Sequence, residues 1–397
     1  MIKAVFKWLA ISLVVGALAG TASAGFLASL DFVTNTRLQN PWLLFLLPFA
    51  GVLISWLYTR HGKGSEAGTN LILDEIHSPK QVVPLRMTPL VLIGTLATHL
   101  FGGSAGREGT AVQMGASLSD QLTHYFKFAG QERKILLMAG ISAGFASVFG
   151  TPIAGAVFGL EVLRVGRLRY AALLPCFASA IIADRVTSLW GIHHTVYKVL
   201  EVAPLEMKSL GYAIFAGLAF GLCARFFSAS LHHMIRLFKN GVQNPLLRTF
   251  VGGILVIVLA ALMQTDRYLG LGVPVIVESF QQKIPFYDFA LKILFTVVTL
   301  GSGFKGGEVT PLFFIGATLG NTLSSILPLP MSMLSGMGFV AVFAGAANTP
   351  LACTIMAMEL FGTNGAVFFA VACVISYLSS GHKGIYHSQR IGVKKHA

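Results

Sequence analysis

Charge is scarce in this sequence: Asp, Glu, Lys and Arg make up only 11% of its 397 residues, against about a quarter in a soluble domain. That shortage excludes an ordinary water-soluble fold, whose outside needs charged side chains to cover it. Cysteine is sparse as well. Cys176, Cys223, Cys353 and Cys373 lie in apolar segments without CxxC or Cys/His spacing, so they read as small core hydrophobes rather than bridges or metal ligands. There is no HExxH and no nucleophile–base motif, and no metal or cofactor is expected. A long basic domain is also lacking. The net charge of +13 comes from short tracts between apolar segments, such as Arg164, Arg167 and Arg169, or Lys383, Arg390, Lys394 and Lys395. This is the positive-inside pattern of a membrane protein, not the continuous basic surface of a nucleic-acid binder.

What the chain has in quantity is apolar sequence: 54% of residues are hydrophobic and the mean hydropathy is +0.72. Stretches long enough to span a bilayer, or nearly so, occur at 4–33, 41–59, 87–102, 133–163, 170–190, 208–237, 249–264, 287–301, 308–327, 333–347 and 350–380. Several exceed one span and must be helix pairs or tilted helices, giving roughly ten to fourteen membrane segments. The start imitates a signal peptide, with Lys3 and Lys7, an apolar run, then Thr21-Ala-Ser-Ala-Gly25. Apolar character resumes at once, so a first transmembrane helix is expected, with a cytoplasmic N-terminus. Forty-three glycines and fifteen prolines, many inside apolar runs, point to broken helices around a protein-lined cavity.

An ordered internal echo divides the chain into halves, 1–200 and 201–397. Thr151-Pro-Ile-Ala-Gly-Ala-Val-Phe-Gly-Leu-Glu161 is matched by Thr349-Pro-Leu-Ala-Cys-Thr-Ile-Met-Ala-Met-Glu359, and Gly106-Arg-Glu-Gly-Thr110 by Gly306-Gly-Glu-Val-Thr310. Each pair is about 200 residues apart, and the order is kept. The sequence leaves open whether the halves are parallel or inverted.

The chemistry gathers in the glycine-rich loops. In Gly102-Gly-Ser-Ala-Gly-Arg-Glu-Gly-Thr110, backbone N–H groups open an apolar helix, a natural anion site. There Glu108 is a carboxylate able to stand in for an anion and to leave on protonation; an ionisable residue inside a membrane segment is a functional candidate by default. The loop Ser302-Gly-Phe-Lys-Gly-Gly-Glu-Val-Thr-Pro311 has the same form, with Glu308 and Thr310 opening the next helix and Pro311 in its first turn. A third loop offers Thr69 and Asn70. Tyr386 follows the last span; on its own it fits an interfacial aromatic belt as well as an anion contact. A membrane-embedded hydrolase using Glu108, His99 and Glu161 is the rival from another class. The doublets His193-His194 and His232-His233 read as solvated interfacial groups.

In combination these motifs resemble the CLC family of chloride channels and anion/proton exchangers. Gly106-Arg-Glu-Gly-Thr110 is similar to the family's G-[KR]-E-G-P loop, Gly307-Glu-Val-Thr-Pro311 to its G-x-F-x-P, and Thr151-Pro-Ile-Ala-Gly with Glu161 to its N-A-P-L-A-G…E-E segment. The resemblance implies an all-α integral membrane protein with an inverted repeat of broken and tilted transmembrane helices. It also implies a homodimer with one pathway per subunit, Glu108 as the gating and proton-coupling group, and Tyr386 at the central site. Four departures follow: Thr69 and Asn70 replace the serine of the first loop, the gating loop ends in Thr110 rather than proline, Glu308 replaces an apolar residue, and Val162 stands where exchangers place an internal glutamate. This pattern resembles the fluoride/proton antiporter branch, a fluoride exporter of the bacterial inner membrane. The expected binding groups are Thr69, Asn70, Gly106, Arg107, Gly109, Thr110, Val309, Thr310 and Tyr386, with Glu308 on the proton or anion path. A chloride channel or chloride/proton exchanger on the same fold is the alternative. The expected partners are fluoride, protons and lipid.

Overall fold

The computed structural model describes residues 2–395, and sixteen α-helices account for most of them. The first eight are α1 Ile2–Gln39, α2 Leu47–His61, α3 Thr69–His77, α4 Met87–Leu100, α5 Glu108–Phe126, α6 Gly130–Phe149, α7 Pro152–Glu161 and α8 Leu173–Leu189. The second eight are α9 Met207–Gly241, α10 Pro245–Met263, α11 Val273–Gln281, α12 Asp288–Ser302, α13 Val309–Leu323, α14 Met331–Ala347, α15 Pro350–Phe361 and α16 Ala366–Ser379. Five stretches are long and apolar enough to cross a membrane: α1, 41–61, 170–189, α9 and α10. Six shorter apolar helices accompany them. α1 runs without a break through Thr21–Gly25, as a span does.

The expected pairs appear where the sequence breaks the helix. At 133–163 the chain stops at Gly150, whose φ of +70° suits glycine, and restarts at Pro152. The echo at 350 uses Asn348 at φ +58° before Pro350. Segment 208–237 lies within one 35-residue helix, α9. The sequence reading did not anticipate any strand. Two short ones, β1 (Arg164–Val165) and β2 (Arg390–Ile391), pair in parallel and tie the C-terminal tail to the end of α7. Lys395 then donates to the carbonyls of Tyr377 and Gly381, neutralising the carbonyl end of α16.

Lys7 pairs with Glu132 at 2.6 Å, which puts the starts of α1 and α6 on one face. The tail shares that face: Arg390 donates to Ser78 Oγ at 3.2 Å, beside the His77 carbonyl that accepts from Lys134 of α6; near the other end of α1, Arg37 lies 3.9 Å from Asp266 in the segment 264–272. Near the first face Arg133 joins three helices. It holds Asp120 of α5 through Nε and Nη2 at 2.9 and 2.8 Å, and Glu75 of α3 through Nη1 at 3.0 Å. All four cysteines are free thiols, three of them buried.

The two halves exchange carboxylates. Glu161, at the end of α7, accepts from the N–H groups of Leu351 and Ala352 at the start of α15, at 3.1 and 2.8 Å. Glu359, at the end of α15, accepts from Ile153 and Ala154 at the start of α7, at 2.9 and 2.8 Å. Each helix therefore has its positive end neutralised by the other half, in an antiparallel pair. Glu359→Ala is expected to cost about 1–2 kcal/mol, the range for a charged group at a helix start. The check is the midpoint of thermal unfolding of purified protein, which should drop by a few degrees; an unchanged midpoint would remove this role.

Candidate functional site

The glycine loops that open α5 and α13 meet head to head. Gly106 N–H donates to the Gly307 carbonyl at 2.6 Å, and Gly307 N–H donates to the Gly106 carbonyl at 2.7 Å. Close approach explains the glycines. A Cβ on Gly106 would fall 2.9 Å from the Gly307 carbonyl oxygen, and one on Gly307 would fall 2.8 Å from the Gly109 nitrogen. The Gly106 N–H is thus already occupied, and Gly106 shapes the site rather than donating to an anion.

That meeting carries the buried carboxylate of Glu108 (1% exposed) to the start of the neighbouring helix. Its Oε2 accepts from Thr310 N–H at 3.0 Å and from Arg107 N–H at 3.1 Å, and its Oε1 accepts from Thr310 Oγ1 at 2.5 Å. The Arg107 guanidinium lies 3.7 Å away. Glu108 therefore sits in the donor set at the positive end of α13, the kind of helix start that suits a negative charge. Val309 is buried beside it.

The remaining candidates divide between contact and scaffold. Thr110 turns its hydroxyl to α4, where it bonds to that of Thr95 at 2.7 Å. Gly109 packs 3.2 Å (as a notional Cβ) from the Gly307 Cα. Glu308 is the N-cap of α13, and its charge and that of Glu108 both act on Tyr386. Tyr386 is buried at the end of an aromatic column: it meets Phe158 edge-on at 6.5 Å, and Phe158 stacks on Phe145 at 4.2 Å. The rings of Phe149 and Phe313, 5.2 Å apart, continue toward Glu108. Aromatic rings thus line the interior between Tyr386 and Glu108. Thr69 opens α3 and accepts from Gln113 Nε2 of α5 at 3.3 Å. Asn70 Oδ1 accepts from Ser388 N–H at 3.0 Å, fixing the segment just after Tyr386.

One sequence expectation needs correction, and the rival enzyme reading lacks its acid–base group: His99 and Glu161 do not join Glu108. Both His99 ring nitrogens lie on backbone carbonyls, Thr95 at 2.8 Å and Ala105 at 3.1 Å, while Glu161 caps α15. Nor is His194 a solvated interfacial residue. With Thr195, Tyr197, Arg107, Glu108 and Thr310 it lines the polar side of a cavity of about 10 Å³ whose remaining wall is apolar, Phe149, Phe313 and Phe339 among it. The segment 190–206 carried no motif, so the sequence reading missed it; its one signal was a His doublet in a loop too apolar for a solvated link.

The profile of the voltage-gated chloride channel family matches residues 50–381. A protein of Pseudomonas syringae pv. tomato described as a chloride/fluoride channel protein is 56% identical, over 98% of this chain and 88% of that one. Among solved structures, a CLC-type fluoride/proton antiporter is 36% identical, with a TM-score of 0.94 and 98% of both chains covered. A slow cyanobacterial chloride/proton antiporter, 21% identical with a TM-score of 0.83 over 96% of each chain, shares the fold. With its loops, its exchanged helix caps and these likenesses in agreement, the chain is a multi-pass membrane protein of the voltage-gated chloride channel, or CLC, family.

Proposed function

We propose that this protein is a fluoride/proton antiporter that exports fluoride, and that its work is transport rather than catalysis. The observation that carries the reading is the Glu108 carboxylate held by Thr310 N–H and Oγ1, a carboxylate in an anion's place. The 56% identical relative and the fluoride/proton antiporter structure support the choice of anion. Fluoride is small and strongly hydrated, so its water must be replaced by good donors. Thr310 and the start of α13 offer them, with Thr69, Asn70 and the Tyr386 hydroxyl on the way. Protonation of Glu108 from outside weakens its hold on Thr310, and the carboxyl swings out as fluoride takes the donors. With Val162 where an internal glutamate would be, Glu108 carries the proton through, and Glu308 assists.

Residues 1–200 and 201–397 are read as inverted repeats, a reading the exchanged caps of Glu161 and Glu359 support. The protein is placed in the bacterial inner membrane with its N-terminus cytoplasmic. The basic residues Lys3, Lys7, Arg164, Arg167, Lys239 and Lys383 favour that side for the face where α1 begins. The homodimer follows from family resemblance.

The test is efflux from proteoliposomes loaded with fluoride or chloride, with external pH recorded together. Fluoride leaving as protons enter, with little chloride flux, is the expected result. Chloride flux without proton movement would instead make the protein a chloride channel on this fold.

A further inference from the structure

Lining the cavity outside Glu108 are two buried polar atoms without a hydrogen-bond partner among the described residues, Arg107 Nε, which lies 3.7 Å from Glu108 Oε1, and His194 Nε2. An unpartnered buried donor or acceptor costs about 1–3 kcal/mol, so two facing one space call for an occupant. The space is about 10 Å³, the room one water needs. His194 is also fixed in place. It bonds to the Val148 carbonyl, so Nδ1 carries the proton, and its ring lies against Gly150, where a Cβ would come within 2.4 Å of it. Burial first, and then the charge of Arg107, hold this imidazole down at about 4. In neutral solution it is uncharged and presents a lone pair at Nε2. The titratable or charged groups around it are Arg107, Glu108, His193 and Tyr197.

We propose that Arg107 and His194 hold a single water against Glu108, through which the gate receives its proton from the outer solution. Arg107 Nε–H donates to the water. The water donates one hydrogen to His194 Nε2 and points the other at the carboxylate. When the water passes that proton to Glu108, it regains one from the outer solution, so the charge balances and His194 stays neutral throughout. His194 is thus a positioning residue of the proton step. The role rests on the antiporter reading above.

His194→Phe and His194→Gln in proteoliposomes separate the possibilities. Phe removes the acceptor and fills the space, whereas the Gln amide oxygen can still accept from a water. With His194→Phe, proton-coupled fluoride efflux should slow by at least about tenfold, as for other displaced reacting groups, and need a lower external pH to recover. Fluoride binding to the purified variant should be unchanged, and His194→Gln should keep most of the rate. Efflux by His194→Phe at the wild-type rate and pH profile, or equal loss in both variants, would overturn the inference while leaving the antiporter standing. Absence of proton uptake in the wild type would take both down.

Discussion

Glu108→Gln is expected to stop proton uptake in fluoride-loaded proteoliposomes, a fall of at least about 100-fold, as when a positioned proton-transfer group is lost. The substitution separates charge from packing. Gln has the size of Glu, its amide oxygen can still accept from Thr310 N–H, and the Thr310 hydroxyl can turn to accept from the amide. What disappears is a group that can be anionic in one step and neutral in the next. A neutral side chain cannot compete with fluoride for the start of α13 through its charge, and it carries no proton. External pH recorded during efflux decides the matter: coupled proton entry in the Gln variant would sink the mechanism, because no other carboxylate touches Thr310 among the described residues.

Arg133→Leu is expected to destabilise the protein by about 3–5 kcal/mol, the cost of breaking a buried ion pair from one side. The guanidinium is 6% exposed and its partners Glu75 and Asp120 are 5% and 0% exposed. Without it both carboxylates remain buried, with only backbone and Thr123 donors: Lys80 and Gln81 N–H for Glu75, Val83 N–H for Asp120. The effect should reach the pathway, because α3 and α5 begin at Thr69 and Glu108 and are clamped together near their other ends. Thermal unfolding in detergent measures the loss. Lys134→Ala next door, which removes one long contact to the His77 carbonyl at 3.4 Å, should stay within about 0.5 kcal/mol of wild type; similar midpoints for the two variants would refute the clamp.

The sequence made the loops legible because their physics is local. Glycines before a helix announce exposed N–H groups, so Glu108, Glu308 and Thr310 could be picked out, and prolines after Gly150 and Asn348 marked true helix breaks. What stayed hidden depends on contacts between distant segments. Glu75, Asp120 and Arg133 share no spacing, and the His doublet in 190–206 did not by itself foretell that His194 would reach the cavity beside Glu108. The roles of Glu161 and Glu359 were half visible. A carboxylate at the end of an apolar helix is unfavourable to that helix's own dipole, a sign that it serves another. The echo between the halves showed that the arrangement recurs, but not that each carboxylate crosses over. Thr110 misled for the same reason: its place in a motif suggested the pathway, and only the fold shows it turned to Thr95.

The exchanged caps also set a timetable for synthesis. Glu359 follows Ile153 by 206 residues, so at about 5–20 residues per second the start of α7 waits roughly 10–40 s for its partner. Through that interval the first half is in the membrane with two backbone donors unanswered. Its final packing must therefore come late, after α15 has emerged. A chain cut between the halves could still assemble if both pieces were made together, whereas either piece alone would carry an open helix end into the bilayer.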